Sequence, residues 1–154
     1  MNAKIEKYAQ ISEIVGAVAV VISLIYVGIS IRQNTKAVQV ANHQALVSMD
    51  MEKNAWFRLP GFAEIYEIAL TNQDSLLPAQ VIQLNTFIAD MFNAWEFAFI
   101  TYQNGAMEEK IWHGWNGYYQ SQLDINPFYR FWESHKSGFS KEFAHYIESV
   151  ETNH

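Results

Sequence analysis

Eighteen consecutive uncharged residues, Ile14 to Ile31 (IVGAVAVVISLIYVGISI), lie between Glu13 and Arg32 and constrain the fold more than anything after them. At 1.5 Å per residue they extend ~27 Å, close to the hydrocarbon thickness of a bilayer. A core helix of that length carries polar positions every three or four residues. Here the only polar side chains are Ser23, Tyr26 and Ser30. A secretory signal peptide also places an apolar stretch behind lysines such as Lys4 and Lys7. This run is too long for a typical signal core, Gly28-Ile29-Ser30 is a poor substitute for a small-x-small cleavage site, and the residues beyond it stay helix-compatible. The expectation is therefore a retained single transmembrane helix.

Over the whole chain half of the residues are apolar and 15% aromatic, which separates it from disordered sequences and predicts one compact domain beyond the span. Residues 1–36 carry four basic against two acidic side chains, a balance of +2, so the remainder must carry −8 to reach the total of −6. Such an acidic distal part excludes a nucleic-acid surface. Cysteine is absent, which removes disulfides and thiolate metal sites. Lys4 and Lys7 on one side of the span balance Arg32 and Lys36 on the other. Arg32 at the membrane edge, with no acid before Asp50, points to a cytoplasmic C-terminal domain.

The periodicity is helical throughout and predicts an all-α fold. No Pro or Gly interrupts residues 29–59, so the span is expected to continue out of the bilayer as one helix from about Ile5 to Arg58, ~80 Å long, ending before Pro60-Gly61. The predicted organisation is an N-terminal flank (1–13), a transmembrane helix (14–31), a helical extension (32–59) and an acidic helical domain (60–154). Within that domain, helices are predicted over Gly61–Leu70, Pro78–Gln103, Met107–Leu123 and Asn126–His135, with a last one capped by Ser140. Thr71 to Ser75 reads as a loop. Pro78 and Pro127 suit a first helical turn, and Asn104-Gly105 is a stop signal.

Two constellations invite a functional reading. Ser12, Gly16, Ala19, Ser23, Tyr26, Ser30 and Gln33 recur at alternating spacings of four and three, one seam of a helix, and all but Tyr26 and Gln33 are small. Bilayer helices associate through close backbone approach at small residues, so this stripe predicts self-association or docking on another membrane helix. It continues outside as Ala37, Val40, Gln44, Val47 and Met51. A pore lined by Ser23 and Ser30 is a sharper version of the same idea. The second constellation is the polar strip of Pro78–Gln103, in which Asp90, Asn93 and Glu96 interrupt a helix apolar nearly all round. A central helix of this kind would bury them, with Arg58, Lys53, Arg130 or His113 as partners. A catalytic or ligand-binding carboxylate is the alternative.

Metal and nucleophile signatures are missing. Glu142 to His145 forms one E-x-x-H, but a carboxylate-bridged di-metal bundle needs a second copy, and Glu109 with His113 is offset by four. There is no G-x-S-x-G, phosphate loop or H-E-x-x-H. No catalytic residue, metal or cofactor is expected. Sixteen aromatics lie between Phe92 and Tyr146, and their helical spacing without flanking lysines predicts a core and not a membrane-interface belt.

The stretches EIVGAVAVVISLIYVGISIRQNTKAV, RLPGFAEIYEIAL, WEFAFITYQNGAMEEKIWHGW and NPFYRFWESHKSGFSKEFAHYIESV resemble a widespread family of small bacterial single-pass membrane proteins of uncharacterised function. The likeness covers almost the whole chain. Its most specific parts are the I-R-Q-N-T exit, the Glu96, Tyr102 and Gly105 segment leading to Trp112, and the closing Trp132, Phe139 and Phe143 pattern. The resemblance implies an inner-membrane anchor and a helical domain, and carries no chemistry across. The residues thus predict an anchored interaction or assembly module whose partners are the bilayer and either a second copy or another membrane protein, and no nucleic acid. A helical enzyme or ligand binder using Asp90, Asn93 and Glu96 is the alternative.

Overall fold

The computed structural model describes residues 3–151, and all its regular structure is helical. Residues 1–2 and 152–154, which belong to the predicted flank and distal domain, lie outside the described residues. The long helix α1 spans Ala3–Ala55 and is followed by a single 3-10 turn over Trp56–Arg58. Next come α2 (Phe62–Asn72), α3 (Pro78–Gln103), α4 (Glu109–Leu123), α5 (Asn126–His135) and α6 (Lys141–Glu151). Two compact units divide the chain, the first ending at Val38 and the second starting at Gln39. The second unit therefore takes in residues 39–59 of the predicted extension.

Among the described residues of the first unit α1 is the only element. Its large apolar side chains from Ile14 to Ile31 are 50–71% exposed on every side of the helix. The helix is long and apolar enough to cross a membrane.

In the second unit α3 is the hub and touches α2, α4, α5 and α6. It starts and ends at the predicted residues because both ends are chemically punctuated. Pro78 occupies the first turn, and Gln80 Oε1 accepts the Leu77 N–H at 2.9 Å. At the other end Gly105 turns left-handed (φ 69°), and the Gly105 and Ala106 N–H groups donate to the Tyr102 and Thr101 carbonyls, a Schellman closure that a Cβ at Gly105 would strain. Elsewhere the boundaries move. α2 reaches Asn72 and a 3-10 turn covers Gln73–Ser75 where a loop was predicted, and α4 starts at Glu109, leaving Met107 buried in the connection.

The predicted aromatic core is present and centres on Trp95. Its ring stacks on Phe92 (6.0 Å) and Tyr119 (5.8 Å) and meets the edge of Phe143 at 5.5 Å. Trp95 Nε1 donates to Asn116 Oδ1 at 2.9 Å, so this buried indole and this buried amide satisfy one another. Tyr102 and Trp112 stack almost parallel at 5.0 Å. Edge-to-face and offset pairs of this kind each contribute about 0.5–1.5 kcal/mol beyond area burial.

Residues 39–55 of α1 present an unexpected face to this unit. Leu46 and Lys53 are buried there, and Gln39, Asn42, His43 and Asp50 are half-buried beside them. Gln39 Nε2 donates to the Gly105 carbonyl (3.2 Å) and Asn42 Nδ2 to the Ala106 carbonyl (2.9 Å). The apolar seam continuing the small-residue stripe lies roughly 130° round the helix from this face. Val40 and Met51 on it are 47% and 65% exposed.

Candidate functional site

The small-residue stripe carries no built contact. Ser12 Oγ donates to the Tyr8 carbonyl and Ser23 Oγ to the Ala19 carbonyl, both at 2.9 Å, so these hydroxyl protons are satisfied inside the helix. A Cβ added at Gly16 would meet nothing within 4 Å, Tyr26 is exposed, and Ser30 is half-buried.

The polar strip of α3 is not buried, which corrects the expectation for Asp90, Asn93 and Glu96. Asp90 and Asn93 are exposed, together with Gln83 and Thr86, and Glu96 is half-buried. The physical reason is that the bundle leaves one side of α3 uncovered, and the strip falls on that side. Asp90 Oδ2 accepts the Trp56 Nε1 proton at 3.0 Å. Asn93 lines a groove of about 220 Å³ with Met49, Glu52, Lys53, Asp90 and Ala94. Glu96 lies apart and pairs with none of its four predicted cations. Instead its Oε1 accepts the Ser140 backbone N–H at 2.7 Å, at the start of α6. Lys53 takes Asp50, Arg130 takes Asp74 and His113 takes Glu109.

Ser140 does not cap with its own side chain, since its buried hydroxyl makes no hydrogen bond. Glu96 supplies the acceptor from another helix, and a charged acceptor at an N-terminus is worth more than a neutral one. Glu96→Ala is expected to cost about 1–2 kcal/mol and Glu96→Gln about half that, read by urea unfolding. Amide exchange should accelerate first in α6.

The cluster that sequence reasoning missed is centred on Lys53, 4% exposed although it is a lysine. Its Nζ donates to Asp50 Oδ1 at 2.6 Å and to the Tyr118 hydroxyl at 2.7 Å. Asn54 Nδ2 donates to the other Asp50 oxygen at 3.0 Å. The carboxylate is thus held at both oxygens by its own helix. Above it opens a cleft of about 540 Å³ lined by Asp50, Asn54, Lys110, Ile111, Gly114, Trp115 and Tyr118. Trp115 and Tyr118 meet nearly at right angles (80°) with ring centres 6.3 Å apart. The usable signal was spacing. Asp50, Lys53 and Asn54 fall at i, i+3 and i+4, and Ile111, Gly114, Trp115 and Tyr118 at i, i+3, i+4 and i+7, so each set shares one helix face. No known protein family, no curated protein and no solved structure matches the chain.

Behind the cleft Tyr119 is fully buried, and its hydroxyl makes no hydrogen bond. Burial, then the Asp50 carboxylate and Tyr118, push the Tyr119 phenol well above its ordinary value. Burial also raises Tyr66 and Tyr146. The unfolded chain therefore releases these protons first. Stability is fully present below about pH 10 and falls as pH rises above it, by up to about 1.4 kcal/mol per pH unit for each phenol still protonated in the fold. Tyr119→Phe keeps the ring, loses no hydrogen bond, and should flatten this alkaline slope while leaving stability at pH 7 nearly unchanged. Denaturant unfolding between pH 7 and 11 measures both.

Proposed function

We propose that the chain is a single-pass, membrane-anchored assembly module of the bacterial inner membrane, with the helical unit on the cytoplasmic side. In this reading residues 14–31 cross the bilayer and copies associate along the Ser12, Gly16, Ala19, Ser23, Tyr26 and Ser30 stripe, and the bacterial family that the sequence resembles is its setting. The observation that carries it is the uncovered state of one continuous helix. The apolar side chains of the span are open on all sides, and Val40 and Met51 on the outer seam of the bundle segment are open too. Lipid accounts for the first, and a second copy for the seam.

Tight backbone contact must supply the drive within the bilayer, because lipid tails solvate Val, Ile and Leu as well as another helix does. Outside it, Val40, Val47 and Met51 add ordinary hydrophobic burial. The competing readings draw less support. Asp90 and Asn93 share a groove that excludes Glu96, so the three do not form one ligand site. Ser23 commits its proton to Ala19, which removes a donor that a pore lining would offer.

The chain has no native cysteine, which makes the test direct. Single cysteines at Ala19 and Ser23 should crosslink in membranes, whereas cysteines at Val18 and Val21 should not. Gly16→Leu should weaken the crosslinking without changing membrane recovery. Equal crosslinking at all four positions, or none, overturns the stripe as a contact face.

A further inference from the structure

We propose that the cleft between α1 and α4 binds small organic amines with an aromatic body, the ammonium on Asp50 and the ring in the Trp115–Tyr118 corner. The cleft has the size of small-molecule sites and a single carboxylate, Asp50, among its lining side chains. Asp50 is pre-positioned, since Lys53 holds one carboxylate oxygen and Asn54 the other. Each oxygen has two acceptor directions, so one on each is left for a ligand donor. The side chain is only 22% exposed and opens towards the cleft it lines.

The walls select charge and shape. Lys53 lies beneath Asp50, 4% exposed, and offers its ammonium to the carboxylate and to the Tyr118 hydroxyl. Its Nζ also lies over the Tyr118 ring, 4.8 Å from the ring centre, so that side of the phenol already meets a cation. At the rim Lys110 is held by Glu108 at 3.0 Å. An anion entering the cleft therefore meets a carboxylate with both nearby cations engaged. A cation meets that carboxylate and the indole of Trp115, in a part of the chain whose net charge is −8. The right-angle corner takes a ring stacked on one wall and edge-on to the other. Gly114 leaves the wall bare, and a Cβ added there meets nothing within 4 Å.

Two probes with the same phenethyl body and opposite charge decide the matter: phenethylamine and 3-phenylpropionate, titrated by calorimetry into the full chain in uncharged detergent, with empty micelles as the blank. Phenethylamine should bind at least tenfold more tightly than the anion. Gly114→Leu fills the cleft and replaces a helical glycine with a better helix former, so the variant should fold normally and lose at least tenfold in amine affinity. Trp115→Phe should retain part of the binding. Equal affinity for the two probes, or amine binding unchanged in a folded Gly114→Leu variant, overturns the assignment.

Discussion

Asp50→Ala is expected to destabilise the helical unit by about 3 kcal/mol, because it leaves a 4% exposed ammonium with only the Tyr118 hydroxyl as acceptor. Breaking a buried pair from one side typically costs about 3–5 kcal/mol, and the lower end applies because Asp50 itself is partly open to solvent. Removing the stranded charge should reverse most of the loss. Lys53→Met carries a similar apolar length into surroundings that already include Met91, Phe87 and Phe128, and should cost less than Asp50→Ala because the carboxylate left behind is partly open to solvent and keeps the Asn54 donor. The double variant should then be more stable than Asp50→Ala by about 2 kcal/mol or more, a coupling between adjacent residues that a double-mutant cycle isolates. Urea unfolding followed by tryptophan fluorescence measures all three. A loss below about 1 kcal/mol for Asp50→Ala would show that Lys53 finds water by moving.

Val21→Lys is expected to impair insertion by roughly 2–4 kcal/mol, read as loss of the chain from the membrane fraction. The same change separates the membrane reading from its competitor by sign. Twelve large side chains between Ile14 and Ile31 are half exposed or more. Left in water they would forfeit on the order of 10 kcal/mol of burial, so a water-exposed helix would gain solubility from a lysine at Val21. Recovery of the unmodified full chain as a soluble monomer without detergent would sink the anchor.

The sequence determined those features that depend on neighbours along the chain. The span needs only a count of uncharged residues. The limits of Pro78–Gln103 and Asn126–His135 follow from Pro78, Gly105 and Asn126-Pro127, whose backbone preferences act locally. The aromatic core followed from spacing, since rings recurring every three or four residues must share a face.

Only the tertiary structure decided which face is covered. Periodicity groups Asp90, Asn93 and Glu96 on α3 but cannot say that three of its sides are packed and this one is open. On α1 the same ambiguity runs the other way. Gln39, Asn42, His43, Asp50 and Lys53 look like a solvent face, and Val40, Val47 and Met51 look like a core face, yet the bundle takes the polar one. It can do so because distant groups complete several of its hydrogen bonds: the Gly105 and Ala106 carbonyls for Gln39 and Asn42, and the Tyr118 hydroxyl for Lys53. A buried polar group is tolerated when its partner is in place, and these partners lie more than sixty residues away, where no local pattern records them.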